Sequence, residues 1–467
     1  MDACTARRFA EMHFEAAELG DVRRTRRLID VGAAFAAGGS GQGGGGTITS
    51  VIGDPCQAKA AYRLLDREEL THEAVIAGHC ALVLKATEAP GHYVLIEDTT
   101  TAAFPTLEAT TGLGSLGPSF IRGLWVHSTL ALRLEEGLGQ AQVLGLLGQK
   151  VWARPEQRPR GRPGSHGPGH ETDYARQRRP HRESERWMAS LEKAGGAMDG
   201  TTWTYVADRE SDIYELFQCS FVNGWSYVIR ATHRRVLAGA WEGSDLFDAA
   251  ARAPLRGQVE VELPRQGRTA RLAVRSSGLE LRGPRRPGGC LENHRLNVVE
   301  VREIDPPPGA DPVHWVLLTD LPVDTLEECL RVVRIYRWRW LIEEFHKALK
   351  TGLRVEASQL STARRLGALI GVLSVVATML IGLKLQARIE PQARLLPGEA
   401  DPLLVEVLRR IDPPVGPPTR RWFWLAIAKL GGFQARKGDG DPGWLTLWRG
   451  WQVLMLLARG YELARGP

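Results

Sequence analysis

Apolar residues recur along this chain at two spacings, and the changes from one to the other divide it. Near the start the spacing is helical. Asp21 can cap a helix beginning at Val22, on which Leu28 and Val31 turn toward a core while Arg23 and Arg27, four apart, share another face. Asp54 and Pro55 form a second cap and first turn, followed by Lys59 and Arg63, again four apart. Two short apolar runs then read as buried strands. Tyr93 to Ile96 in HYVLIEDTT leads to Asp98 at the strand's end, and the apolar run of WTYVADRESDIYELF leads to Asp208, with a helix beginning near Ser211. From about Ala231 to Leu321, QVEVELP, TARLAVRSS and LNVVEVRE alternate or run apolar at strand length, with Gly and Pro between them. Helical spacing returns in RIYRWRWLIEEFHKALK, where Ile335, Trp338, Ile342, Phe345 and Leu349 form one core-facing stripe. Leu366 to Leu383 carries no charge for 18 residues. That meets the lower length of a membrane span, but three glycines, Ser374, Thr378 and its place directly after the preceding helix favour a buried core helix. The last section, about 390 to 467, starts with prolines and resumes as helices holding Trp422, Trp424, Trp444, Trp448 and Trp451, an aromatic set suited to a core or a partner surface.

Two stretches break the pattern. GGSGQGGGG contains a G-x-G-x-x-G at Gly39, Gly41 and Gly44, but it follows an alanine-rich helix rather than a strand, so it reads as a flexible link and not a dinucleotide loop. Residues 154 to 182 are rich in Arg, Pro and Gly and cannot bury enough apolar surface to fold alone. They read as a variable insertion or a basic loop touching phosphate, and their glycine-rich surroundings argue against a metal site at His166, His170 and His181. With 467 residues the chain has material for two or three domains. Its formal net charge of +6 and pI of about 9.1 are compatible with a polyanionic partner. Six scattered cysteines without C-x2-C pairs indicate neither zinc nor a disulfide framework, as expected in a reducing cytoplasm, and the charged first 30 residues do not read as a signal peptide.

Candidate chemistry lies on the polar side of the late helix. Tyr336, Arg339, Glu343 and Lys350 fall in one narrow stripe, roughly 110° around the helix from the apolar one at about 100° per residue. A carboxylate flanked along the axis by Arg and Lys suits a metal-bound phosphodiester, although i,i+4 ion pairing on a solvated face would give the same pattern. Together with Asp98 and Asp208, Glu343 can hold a pair of divalent ions. Such ions activate a water or 3′-hydroxyl for in-line displacement, so no covalent protein intermediate is needed. Glu97 points to the strand face opposite Asp98, Glu344 lies about 100° from Glu343, and Glu210 and Asp212 are placed to cap the helix after Asp208; none of these is assigned to metal.

IEDTT around Asp98, ADRESDIY around Asp208 and the complete Y-x2-R-x3-E-x6-K pattern of YRWRWLIEEFHKALKTG resemble the bacterial DDE transposases of the insertion-sequence-four family, transposon-five type. Further likeness lies in ELGDVRRTRRLIDVGAAFA, LWVHSTLAL, HWVLLTDLPV, LAIAKLGGFQ and GWLTLWRGWQ, so the resemblance covers nearly the whole chain. It implies an α/β ribonuclease H-like catalytic domain over residues 73–389, interrupted by a β-rich insertion at about 231–321. A helical transposon-end-binding domain (1–72) precedes it and a helical dimerisation domain (390–467) follows. It implies Asp98, Asp208 and Glu343 as catalytic holders of two Mg²⁺ ions, replaceable by Mn²⁺, and Tyr336, Arg339 and Lys350 as residues that position phosphates. Arg23, Arg24 and Arg27 match the end-binding segment, and Trp315 matches a tryptophan that stacks on a base flipped near the DNA end.

The expected activity is cut-and-paste transposition in the bacterial cytoplasm by a DNA-bound homodimer with no membrane association. It proceeds by nicking at a transposon end, hairpin formation by the freed 3′-hydroxyl, hairpin hydrolysis and strand transfer. Two competing functions are a metal nuclease of the same fold that cuts without joining, and a non-catalytic DNA-binding regulator left by a decayed element.

Overall fold

The computed structural model describes residues 3–38, 46–117, 121–154 and 195–465, apart from positions 136, 138, 264, 265, 287, 288, 387, 389, 398 and 437. The centre of the glycine link, with Gly39, Gly41 and Gly44, and the basic stretch with its three histidines, Arg154 apart, lie outside the described residues.

The chain starts with α1 (Ala3–Phe14) and α2 (Val22–Ala36). Asp21 caps α2 by accepting from the Arg23 N–H at 2.8 Å, and Leu28 and Val31 are buried as the spacing requires. The two helices pass so closely that a Cβ on Gly32 would meet the Phe14 ring at 2.4 Å. After α3 (Ile48–Ile52), Gly53 turns the chain at φ +72°, Asp54 accepts from the Gln57 N–H at 2.7 Å, and Pro55 opens α4 (Pro55–Leu65). Then α5 (His72–Ala86) leads into the sheet.

The strands are β1 (Gly91–Ala103), β2 (Gly114–Ser115), β3 (Arg122–Leu134), β4 (Ala141–Trp152) and β5 (Thr201–Ala207). After α6 (Tyr214–Asn223) come β6 (Ser226–Arg230) and β7 (Leu237–Ala238), then α7 (Leu246–Arg252), β8 (Leu255–Leu263), β9 (Arg268–Leu281), β10 (Arg285–Arg286), β11 (Gly289–Cys290), β12 (His294–Glu303) and β13 (His314–Thr319). Eleven described strands join in one sheet in the order β2-β3-β1-β5-β6-β13-β12-β9-β7, with β4 beside β3 and β8 beside β9; β10 and β11 pair separately. β1, β5 and β6 are mutually parallel; β3 runs antiparallel to β1, and β4, antiparallel to β3, returns to the direction of β1. The region of strand-like pattern from 231 to 321 adds antiparallel strands to the β6 edge of this same sheet. Asp98 does not end its strand, as its short apolar run suggested. β1 continues to Ala103 because its pairing with β3 runs on past the point where β5 stops.

One face of the sheet is covered by α8 (Leu326–Arg337), α9 (Trp340–Lys347), a π turn at Ala348–Gly352 and α10 (Ala363–Gln386). Thr325 and Glu328 form a capping box at the start of α8. The single helix expected from Ile335 to Lys350 is tightened in its middle. Trp338, Arg339, Leu341 and Ile342 donate to carbonyls three residues back, which separates α8 from α9 without leaving the right-handed helical region. The apolar stripe survives, with Ile335, Ile342, Phe345 and Leu349 buried and Trp338 partly so.

The long apolar segment of α10 is 94% buried by protein, which makes it a core helix and not a membrane span. It packs against α2, α4, α5, α9 and β4, and also against the last of the three closing helices, α11 (Pro402–Ile411), α12 (Arg420–Leu430) and α13 (Trp444–Arg465). One hydrophobic core therefore runs from the N-terminal helices through the sheet to α13. Trp444, Trp448 and Trp451 are buried in it, and Trp422 is partly buried with its indole N–H on the Asp412 carbonyl at 2.8 Å. Three of the five tryptophans of this section thus serve the core, and Trp422 and Trp424 lie at its edge.

Candidate active site

The register of two parallel strands brings the first two acids together. Glu97 lies opposite Ala207, so Asp98 and Asp208 follow at the same level on adjacent strands, about 4.8 Å apart in the pairing direction. Val94, Ile96 and Val206 precede them on one face and join the core under α8–α10, so both aspartates project toward those helices. Asp208 also accepts from the Arg209 N–H at 2.8 Å, which starts a short 3-10 turn.

The helical stripe closes over this pair. Arg339 stands at the tightened turn between α8 and α9, with its side chain 10% exposed, and points one guanidinium nitrogen at Asp208 Oδ2 (3.6 Å) and the other at Glu343 Oε1 (2.7 Å). The Tyr336 hydroxyl donates to Asp208 Oδ1 at 3.3 Å, and burial, reinforced by the Asp208 charge, pushes the phenol up to about 12. Trp315 on β13 packs its ring edge-on to Tyr336 at 5.3 Å between centroids. Lys350 lies on the π turn, close enough that its charge adds to burial in disfavouring protonation of His346. The structure therefore gathers Asp98, Asp208, Glu343, Tyr336, Arg339, Lys350 and Trp315 from four separate stretches of chain.

Electrostatics distinguish the three acids. Burial raises the Asp98 carboxyl to about 6; the Thr99 N–H bond and Arg339 oppose this, while Glu210 and Glu343 add to it. Three carboxylates around one guanidinium leave an excess of negative charge. An all-oxygen donor set of that charge fits a hard divalent cation. Among the described residues no three such groups already stand in ligating geometry; Arg339 bridges Asp208 and Glu343.

Several nearby groups were not singled out by the pattern. Arg230 ends β6 one register step beyond Ile229, which lies opposite Ala207, so Asp98, Asp208 and Arg230 form one row across three strands. Its charge acts on Tyr336, and it donates to the His314 carbonyl at 3.1 Å. His346, one helical turn after Glu343, places Nδ1 3.9 Å from Asp98 Oδ2; burial, then Lys350 and His127, lower its pKa to about 3, so this contact involves a neutral ring. Glu210 is close enough to raise Asp98. The i,i+3 spacing of Glu343 and His346 was a usable signal, whereas Arg230 is placed by strand pairing alone.

The acids set apart from the site lie elsewhere. Glu97 is fully buried on the opposite sheet face, accepting from Tyr205 at 2.8 Å and Thr129 at 2.7 Å. Glu344 pairs with Lys384 at 2.5 Å. Asp212 is not a helix cap: it is buried, pairs with Arg235 and accepts from the Thr232 and His233 N–H groups, which fixes the chain after β6. The N-cap of α6 is Ile213, without a side-chain bond.

In the N-terminal helices the three arginines differ. Arg23 is exposed, Arg24 pairs with Glu69 at 2.8 Å and donates to the Leu19 carbonyl at 2.9 Å, and Arg27 reaches Asp30 at 3.3 Å and Gln57. Arg26, Lys59 and Arg63 are exposed with Arg23 on the contacting helices α2 and α4, and they present cations suited to backbone phosphate. Residues 6–70, which include the helices carrying these cations, match the family model described as Transposase DNA-binding.

Proposed function

We propose that this protein is a cut-and-paste DNA transposase of the DDE class, similar to the insertion-sequence-four family, transposon-five type. The observation that carries the reading is the in-register placement of Asp98 and Asp208 beneath a helix that delivers Glu343, Arg339 and Tyr336 to the same point. The strand order β4-β3-β1-β5-β6, with β3 alone antiparallel among these five, supports a ribonuclease H-like catalytic domain, and the strands added at the β6 edge fit its β-rich insertion.

Bound by Asp98, Asp208 and Glu343, two Mg²⁺ ions, or Mn²⁺ in their place, would supply an activated water or 3′-hydroxyl and stabilise the leaving oxygen. The chain's own groups do the rest. Arg339 exchanges its carboxylate partners for phosphate oxygens when DNA enters, and Lys350 and Arg230 add positive charge on either side. Tyr336 holds Asp208 in orientation and backs Trp315, whose partly buried ring offers an aromatic face to a base displaced from the duplex. The reaction proceeds by nicking, attack of the freed 3′-hydroxyl on the opposite strand, hairpin hydrolysis and strand transfer. Val453, Leu456, Leu457 and Leu463, exposed on α13, support a homodimer through the C-terminal helices.

The test is excision of a marker flanked by the DNA that borders the gene, with wild-type protein and Asp98→Ala in Mg²⁺. Hairpin-ended product from wild type alone is the expected result. Unspecific nicking that disappears in the variant would point to a plain nuclease, and end binding without cleavage by either protein to a regulator.

A further inference from the structure

Within the broad packing of the N-terminal helices on α10, one guanidinium ties the end of α4 to the segment beside the catalytic sheet. The last turn of a helix leaves carbonyls without intrahelical donors, and the end of α4 needs partners for its own. Arg364, the second residue of α10, supplies them. Its Nη1 donates to the Arg67 carbonyl at 2.6 Å and to that of Leu70 at 3.2 Å, while Nη2 donates to Leu65 at 3.0 Å and Asp66 at 3.2 Å. Beside it, Arg365 pairs with Asp66 at 2.9 Å. A planar fork spreads its donors over two terminal nitrogens and can serve these four carbonyls at once, more than the three donors on the single nitrogen of a lysine can reach.

The same node reaches the acids. The residues just before Arg364 are stitched to the loop that follows β1: Thr111 N–H donates to the Ser361 carbonyl at 3.0 Å, Ala363 N–H to the Thr111 carbonyl at 2.8 Å, and the Thr110 hydroxyl to the Leu360 carbonyl at 2.8 Å. Glu356 accepts from the Ala103 N–H at the end of β1 at 2.8 Å. A short chain of bonds thus runs from α4 through Arg364 to the strand bearing Asp98.

Building on the transposase reading, we propose that Arg364 is a positioning residue that sets the register between the bound DNA end and the point of cleavage. This holds whether a protomer cuts the end it binds or the end bound by its dimer partner, since either geometry depends on a fixed relation between α4 and the sheet.

The experiment compares wild type, Arg364→Ala and Arg364→Lys as full-length chains; the lysine keeps charge and stem should the alanine fail to fold. Affinity for the bordering DNA should stay within about threefold of wild type. Cleavage should slow by about tenfold to a hundredfold, the loss that a displacement of about 1 Å costs, with cut positions spread over neighbouring nucleotides. Independently of DNA, spin labels on exposed Cys56 of α4 and on Lys150→Cys of β4, with the other reactive thiols replaced by serine, should give a narrow distance distribution in wild type and a broad one in both variants. Wild-type cutting precision or an unbroadened distribution in both variants overturns the proposal. If wild type itself neither binds nor cuts, the transposase reading falls while the distances still decide the role of Arg364.

Discussion

Replacing Asp98 by asparagine should make the DNA-free, metal-free protein more stable near neutral pH. The folded protein holds this carboxyl at about 6, against an ordinary value of 3.8, with its side chain 23% exposed. A folded-state value above the unfolded one means that the folded protein keeps its proton longer. The stability from this group is fully present below about pH 4 and is lost as pH rises through about 6. Two pH units at 1.36 kcal/mol each give a cost of about 3 kcal/mol at pH 7.5, and less than about 1 kcal/mol at pH 4. Asparagine keeps an oxygen for the Thr99 N–H, which lies 2.8 Å from the aspartate, and never ionises. With unfolding entropy of about 2.1 cal/mol/K per residue over 467 residues, roughly 1 kcal/mol corresponds to 1 °C, so the variant should melt about 3 °C higher at pH 7.5 and within about 1 °C of wild type at pH 4. The assay is thermal unfolding in chelator at the two pH values. Equal or lower melting at pH 7.5, or a difference independent of pH, would refute the reasoning.

Other perturbations separate roles that look alike in the sequence. Arg339→Gln should release Asp208 and Glu343 from their shared cation, and Mn²⁺ binding by the DNA-free protein, followed by titration calorimetry, should tighten by about tenfold even as cleavage falls; an unchanged affinity would count against the bridging role. Arg23→Ala should weaken DNA binding and reduce the slope of log affinity against log salt by about one. Arg24→Ala should leave that slope alone and lower the melting temperature, because its guanidinium is engaged by Glu69 and the Leu19 carbonyl. Glu97→Leu should cost about 2–4 kcal/mol in urea unfolding, since the Tyr205 and Thr129 hydroxyls would lose their acceptor in a dry interior; stability equal to wild type would show that this cluster is not needed.

Interactions between residues a few positions apart were legible. The caps at Asp21 and Asp54, the buried stripe of Ile335, Ile342, Phe345 and Leu349, and the exposure of Lys59 and Arg63 all depend on helical geometry within one or two turns. The opposite orientations of Glu97 and Asp98 follow from strand alternation, and the spacing from Tyr336 to Lys350 placed four candidate groups on one side of the chain. The tightened turn at Trp338–Arg339 and the continuation of β1 to Ala103 had no such local signature.

By itself, then, the sequence determined which residues could carry the chemistry and which local elements would present them, because helix and strand periodicities act over a few residues. Tertiary structure decided that Asp98 and Asp208 stand side by side, that Arg230 and His346 join them, that Arg24 serves its own domain while Arg23 faces solvent, and that α10 lies in a protein core. These outcomes depend on strand register and on contacts between segments far apart in the chain. Hydropathy alone reads burial by lipid and burial by protein as the same transfer from water. Only the packing of α2, α5, β4 and α13 around α10 distinguishes them.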